Sequence, residues 1–343
     1  MTAEITLLHT RPDMAPPGST FALDMDYPAE IERLCAYIAK TVARDLLRRG
    51  VVLGVSGGID SAVCIALAAR SLGPGRVRAL LMPEREGSDA GMERAERLCR
   101  SLGVRYVVED IDRTLEAAGC YRRRDAAIRQ MLPAYGTGWR HKIVLRRAAD
   151  HDGLPFFYLV AQSPSGAQVT QRMPRDVYLQ VVAATNLKQR TRKMVEYHHA
   201  DELNYAVLGT PNRLEYELGF FVRGGDGLAD LKPIAHLYKT QVYRLAEFLG
   251  VPEEIRTRPP TTDTYALPQS QEEFYFSLPW DKMDLCLYGK TNGLPPEAVA
   301  DAVGLSPEDV ERVYRDIDAK RRVADILHLG PQLVVDAPDL ARR

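Results

Sequence analysis

The chain has 343 residues and is 45% hydrophobic, which is enough apolar material for the core of one large domain or two small ones. Its 45 basic and 46 acidic residues leave a net charge of −1 and exclude the bulk-charge signature of a nucleic-acid or membrane surface. Cys35, Cys64, Cys99, Cys120 and Cys286 show neither paired nor metal-type spacing, which fits a reducing cytoplasm, and no apolar run reaches membrane-spanning length.

In chain order, residues 1–27, with Pro12, Pro16 and Pro17, read as an extended arm without a signal-peptide pattern. A helix follows over about 28–49, with Pro28 in its first turn. Strands and helices then alternate. "VVLGV" (51–55) is a buried strand, and residues 62–72 form a helix that is apolar almost all round, hence buried. "VRALLM" (77–82) is a second strand. Ser88 caps a helix whose Ala95, Leu98, Cys99 and Leu102 recur at i, i+3, i+4 and i+7. "VRYVV" (104–108) and, much later, "YAVLGT" (205–210) are further strands. Near-continuous apolar strands alternating with helices predict an α/β fold on a doubly wound parallel sheet.

Residues 120–174 break that rhythm. "FFYLVAQ" and "AQVTQRM" around Ser-Pro-Ser-Gly predict a β-hairpin, read as an inserted flap. The basic run Arg122, Arg123, Arg124, Arg129, Arg140, Lys142, Arg146 and Arg147 is either a solvated face or a grip for phosphates or an acidic carrier protein. A long helix, about 175–199, returns to the sheet. The tail from Gly293 reads as helix, Gly turn and Ser-capped helix. Its second helix carries Glu308, Asp309, Glu311 and Asp316 against Arg312 and Arg315, which suits no phosphate-lined groove, so a packed pair is expected and no nucleic-acid partner. The expected division is an arm over 1–27, a main domain over 28–290 that includes the insertion, and a C-terminal helical segment and tail over 291–343.

The seam between the first strand and the helix after it reads Ser56-Gly57-Gly58-Ile59-Asp60-Ser61. Glycines let the backbone turn tightly and bring N–H groups close to a ligand, and the helix start favours negative charge. Ser56 and Ser61 add hydroxyl donors. Asp60 is the odd member beside a phosphate, and makes sense with a divalent cation between them. The plainer reading is a glycine turn with capping Asp and Ser. Neither Gly-x-x-x-x-Gly-Lys-Ser/Thr nor Gly-x-Gly-x-x-Gly is present.

"SGGIDS" (56–61) resembles the pyrophosphate loop of the ATP pyrophosphatases, which include NAD synthetase, GMP synthetase, asparagine synthetase and tRNA-thiolation enzymes. "NLKQRTRKMVEY" (186–197), "LGTPNRLEYELGFFVRGGDGLADLKPI" (208–234), "LYKTQVYRLAEFLGVPEEI" (237–255) and "PPTTD" (259–263) are similar, in order and spacing, to the ammonia-dependent NAD synthetase family. The resemblance covers most of 28–265 outside the insertion. It implies a Rossmann-like ATP pyrophosphatase fold and a ligase that turns deamido-NAD, ATP and ammonia into NAD, AMP and diphosphate. The alternative is a related amide ligase acting on a different carboxylic acid. With no room for a glutaminase domain, ammonia is expected free or from a separate supplying protein. A cytoplasmic homodimer is also implied.

The resemblance assigns roles by position. Ser56 to Ser61 hold the pyrophosphate of ATP, and Thr210, Lys239 and Thr261 also contact ATP. Asp60 and Glu215 hold Mg²⁺, and Lys239 with Asp60 carries the catalytic charge. Arg190, Arg223, Asp230 and Lys320 contact deamido-NAD. Plainer readings stand beside these: Lys239 as a solvated helix lysine, Glu215 as an ordinary helix glutamate, Arg190 as a surface charge and Asp230 as a turn-closing residue. The departures from the family, Arg223 for the usual Lys, Gly224 where an aromatic is common and Ala319 for a His, all fall on the acid-substrate side.

Overall fold

The computed structural model describes residues 23–147, 155–260, 264–276 and 278–332. Helix α1 (Tyr27–Lys40) is capped by Asp26, whose Oδ1 accepts from Ala29 N at 3.0 Å, and it runs on as a π-helical turn over Thr41–Asp45. Then come β1 (Val51–Gly54), α2 (Ile59–Leu72), β2 (Val77–Leu81), α3 (Asp89–Ser101), β3 (Arg105–Val108), α4 (Asp112–Ala117) and α5 (Cys120–Arg129). Three further strands follow, β4 (Arg140–Arg147), β5 (Pro155–Gln162) and β6 (Gln168–Arg172), and then the long α6 (Arg175–Leu203) and the short β7 (Ala206–Val207). The rest is helical: α7 (Arg213–Leu218), α8 (Lys239–Phe248), α9 (Glu253–Arg256), α10 (Trp280–Thr291), α11 (Pro296–Val303) and α12 (Pro307–His328).

The main sheet has the order β3-β2-β1-β7, and each of its pairings is parallel. Side chains alternate between its faces. Val51, Leu53, Ala79 and Leu81 join the core cluster of α1, α2, α3 and α8, while Val52, Leu80 and Val207 join Ala200 of α6. The sheet is therefore covered on both faces, the doubly wound arrangement expected from its continuous apolar strands.

Some boundaries differ from the sequence expectation for local reasons. Helix α2 starts at Ile59, three residues earlier than the apolar run, because Ser61 Oγ donates to Gly58 O at 3.0 Å and closes the first turn. This puts Asp60 and Ser61 inside the helix. Strand β7 pairs only at Ala206 and Val207; beyond it Leu208 bridges Leu231 and the chain turns away at Thr210-Pro211. Helix α6 runs past 199 to Leu203 and stops at Asn204, which takes the left-handed conformation at φ 53°.

The expected hairpin is present as β5 and β6, but β4 precedes it and makes a three-stranded antiparallel sheet, β4-β5-β6. Its inner residues Ile143, Leu159 and Ala161 pack with Ala127 and Ile128 of α5 and Val177 and Val181 of α6. The basic run is not one surface. Arg124 is buried against Glu86, Arg129 donates to Tyr135 O, and Arg140 donates to Gln162. In the tail, Val299, Ala300 and Val303 of α11 and Val310, Tyr314 and Ile317 of α12 pack on Leu214, Leu218, Met283 and Leu287. Among the described residues no helix is long and apolar enough to cross a membrane.

Candidate active site

β1 lies between β2 and β7, so the chain leaves the sheet in opposite directions on its two sides, and the loop after β1 stands at that switch point. Gly57 has φ +77°, and a Cβ there would sit 2.4 Å from the carbonyl oxygen of Gly91. No other side chain fits. Ser56 N donates to Ser61 Oγ at 3.4 Å, and Gly58 N to Ser56 Oγ at 3.3 Å, so the loop is folded on itself at the N-terminus of α2. A helix start framed by hydroxyls and tightly turned backbone is suited to an anion.

Asp60, in the first turn of α2, faces two residues far away in sequence. The Lys239 ammonium, at the start of α8, contacts Asp60 Oδ2, and Asn212 Nδ2 donates to Oδ1 at 3.1 Å. Lys239 is 1% exposed. Burial pulls its pKa down, but the Asp60 and Glu215 carboxylates outweigh that and hold it above the ordinary value. Asn212 also links Asp60 to Glu215. Its Oδ1 accepts from Glu215 N at 3.2 Å, and Glu215 Oε2 accepts from Asn212 N at 3.2 Å, a capping box at the start of α7. Gln271 Nε2 donates to Glu215 Oε1 at 3.0 Å. Burial, and next the negative charge of Asp60, push the Glu215 carboxyl up from its usual range. Two carboxylates held this close favour a cation between or beside them.

Helix α8 is itself anchored from α10. The fully buried Asp284 accepts from Lys239 N at 3.2 Å and from Thr240 N and Oγ1 at 2.6 and 2.7 Å. The ammonium of Lys239 is thus set by the start of its helix as well as by its own ion pair.

Asp60, Glu215, Gln271 and Lys239 open onto one cleft of about 590 Å³. Ser56 to Ser61, Thr210, Glu215 and Lys239 line it, and Phe157, Tyr178, Tyr265 and Phe274 form an aromatic wall. Phe157 stacks on Tyr178 with centroids 3.9 Å apart. Thr261 lies outside the described residues. Arg190, Arg223, Asp230 and Lys320 are not in the lining. Arg190 Nε donates to Arg223 O at 3.3 Å, and Arg223 Nη2 to Leu329 O at 3.0 Å. Asp230 accepts from Val207 N at 2.7 Å and from the Tyr197 hydroxyl at 3.2 Å. Lys320 is buried and bonds Tyr275 O and Asp316.

In and beside the cleft stand residues that the sequence reading passed over. Asn212 was legible as the first residue of an Asn-x-x-Glu capping pattern. Asp226, four residues before Asp230, lines the cleft and accepts from Val222 N at 2.7 Å. Gln271 comes from an irregular segment with no local signal. At the rim, Lys188 Nζ donates to Glu84 at 2.9 Å, Glu86 at 2.6 Å and Thr264 O at 3.0 Å, while Arg124 of α5 donates to the other oxygen of Glu86. This buried network absorbs one arginine of the basic run.

A parallel sheet with a glycine-serine loop at its switch point, and a buried lysine between two carboxylates beside it, has the architecture of an ATP pyrophosphatase-type α/β protein. The model of the NAD synthase family matches residues 30–131 and 163–323. The NH(3)-dependent NAD(+) synthetase of Rhizobium meliloti (strain 1021) is 57% identical over 316 residues, 92% of this chain and 94% of that one. The chain belongs to the NAD synthase family. Among solved structures, the NMN synthetase from Francisella tularensis aligns with a TM-score of 0.62 at 20% identity, over 91% of this chain and 100% of that one. The NH3-dependent NAD synthetase from Campylobacter jejuni subsp. jejuni NCTC 11168 aligns at 0.59 and 22%, over 91% and 100%. At these identities the two structures show the shared fold. The family model leaves 132–162 unmatched, the stretch that holds β4 and β5.

Proposed function

We propose that this chain joins ammonia to the nicotinate carboxylate of deamido-NAD, consuming ATP and releasing AMP and diphosphate. The observation that carries this reading is the meeting of Asp60, Glu215 and the buried Lys239 beside the Ser56–Ser61 loop, in a chain of the NAD synthase family. A carboxylate oxygen of the acid attacks the α-phosphorus of ATP, and the bond from that phosphorus to the leaving diphosphate oxygen breaks. Ammonia then attacks the carbonyl carbon of the acyl-adenylate, AMP leaves, and the nitrogen loses a proton to give the amide. The loop N–H groups and the Ser56 and Ser61 hydroxyls receive the diphosphate, and Lys239 places a compact positive charge where negative charge grows. Thr210, at the cleft wall, and Thr261 contact ATP in this reading.

The donor set fits Mg²⁺. Two carboxylates bridged by Asn212 face the cleft, and one or two carboxylates with substrate phosphates are the usual protein share of that ion's ligands. Asp60 and Glu215 would hold it, and when bound it would neutralise charge on the phosphates. This chain's residues act by positioning and charge.

Arg190, Arg223, Asp230 and Lys320 are the proposed contacts of deamido-NAD. Arg190, Arg223 and Asp230 are exposed outside the cleft of one chain, which supports a homodimer in which they complete the acid site; Lys320, buried on Tyr275 O and Asp316, would have to leave those partners to reach it. The five free cysteines support a cytoplasmic setting, where ammonia comes free or from a supplying protein. The sheet β4–β6 is read as an insertion within the 28–290 domain. The test is diphosphate release with ATP, Mg²⁺ and ammonia across candidate acids. Release with deamido-NAD well above a no-acid control is expected; release only with another carboxylic acid would overturn the reading. Asp60→Ala should abolish turnover with every acid, and sedimentation at micromolar concentration should give twice the chain mass.

A further inference from the structure

β4 is an edge strand, and an edge strand leaves backbone groups unpaired on its outer side. Here the outer side is used. His141 O accepts from Leu267 N at 3.2 Å, and Ile143 O accepts from Gln269 Nε2. Lys142, between them, donates to Pro268 O at 3.2 Å and to Glu273 at 2.7 Å. Three successive residues of β4 therefore hold the stretch Leu267–Glu273 at four points. Apolar contacts reinforce them: Leu267 packs with Val144 and Val160, and Tyr265 and Phe274 with Ile143 and Leu159.

The stretch so held carries Gln271 to Glu215. Gln271 is buried, and its Nε2 donates to Glu215 Oε1, while the other oxygen of Glu215 accepts from Asn212 N. Each oxygen of this carboxylate has one donor, so its plane is set from two sides. Asn212 belongs to the same short helix start as Glu215; Gln271 is the donor that comes from elsewhere. We propose that Gln271 is a positioning residue for Glu215, and that the free edge of β4 is what keeps Gln271 in place. The extra sheet, which lies mostly in the stretch that the family model does not match, then serves the reaction through a chain of hydrogen bonds without touching the reacting atoms. The inference rests on the reading of Glu215 given under Proposed function.

Four variants and two readouts test it on the full-length protein: turnover measured by diphosphate release, and hydrogen–deuterium exchange at the Leu267 amide. Gln271→Leu keeps bulk and removes the donor; kcat is expected to fall about 10–100-fold, the range for a lost hydrogen bond to a charged group. KM for deamido-NAD should stay within about twofold, because an orienting role acts on the chemical step. Lys142→Met, at a partly exposed lysine outside the cleft lining, should speed exchange at Leu267 about tenfold and lower kcat with it. Lys142→Arg should restore both. Full turnover in Gln271→Leu, with Glu215→Ala inactive, overturns the inference and leaves the reading of Glu215 intact. Faster exchange in Lys142→Met with unchanged kcat also overturns it. Full turnover in Glu215→Ala overturns the reading, and the inference with it.

Discussion

Lys239→Met separates the structural from the catalytic share of the central ion pair. Methionine has nearly the length of lysine, so the change removes charge more than volume. Among the described residues it leaves Asp60 and Glu215 with Asn212 and Gln271 as their side-chain donors. Removing one partner of a buried pair costs about 3–5 kcal/mol. At about 2.1 cal/mol/K per residue, 343 residues give an unfolding entropy of about 0.7 kcal/mol/K, so the melting midpoint should drop by roughly 4–7 °C. Adding Asp60→Asn removes the uncompensated charge, and the double variant should be about 1–3 kcal/mol more stable than the two single losses sum to. Turnover should not follow. Both single variants and the double variant should lose about 10³-fold or more in diphosphate release, because Lys239→Met removes the positive charge that meets the leaving diphosphate and Asp60→Asn removes a proposed metal carboxylate. Melting curves without ligand and turnover at saturating substrates are the two measurements. A double variant that regains turnover together with stability would refute the catalytic share; a Lys239→Met protein that melts within a degree of the wild type would refute the structural share.

Gly57→Ala forces a Cβ to 2.4 Å from Gly91 O at a positive φ, so the loop must shift; kcat/KM for ATP should fall about 10²-fold, read by initial rates against ATP concentration. Asp284→Asn turns an amide donor toward either Lys239 N or Thr240 N and should cost about 1–3 kcal/mol by urea denaturation. Turnover should fall as well, since Lys239 opens that helix; loss of stability at full turnover would separate the helix anchor from the chemistry. Asp112 is held far below its usual range by the Arg85 guanidinium first and by the Tyr121 hydroxyl as well. A depressed carboxylate adds stability above its unfolded value of 3.8, and that stability is lost as pH falls toward the folded value. The gap in urea midpoint between wild type and Asp112→Asn should therefore be full at pH 7 and shrink below pH 4. A gap that stays constant to pH 3 would remove Asp112 from the account of acid stability.

The parallel sheet was legible because its strands are buried on both faces, and Val51–Leu53 and Ala79–Leu81 appear as unbroken apolar runs. β4 was not, although it is as long as β5. Its apolar core, Ile143-Val144-Leu145, is short and sits between Lys142 and Arg146, and its first two residues pack against different partners: Ile143 in the α5–α6 cluster, Val144 under Leu267. Without knowing that residues 264–276 lie against this edge, its basic residues read as part of a solvated face or of a grip for phosphates or an acidic carrier protein. The arginines misled in the same way. Arg124 looks like surface charge until Glu86 and Lys188 are placed beside it, and those partners are 38 and 64 positions away.

The site divides along the same line between local and distant. Ser56 to Ser61 could be read because six successive residues contain the whole device: turn, donors and helix start. Glu215 and Lys239 came only from resemblance to a family, since an Asn-x-x-Glu start and a lysine at the head of a helix each have an ordinary structural use. The fold supplies what spacing cannot, the meeting of both with Asp60. The two aspartates after "GFFVRGG" make the limit concrete. They stand four residues apart in a glycine-rich turn, where no periodicity assigns a direction. Asp226 bonds a donor in its own turn and faces the cleft, whereas Asp230 bonds the end of β7 and Tyr197 and stands outside the lining. Any role of Asp230 toward deamido-NAD therefore needs a surface beyond the single-chain cleft. The groups proposed for ATP, by contrast, meet within one chain, from the loop before α2 and the starts of α7 and α8.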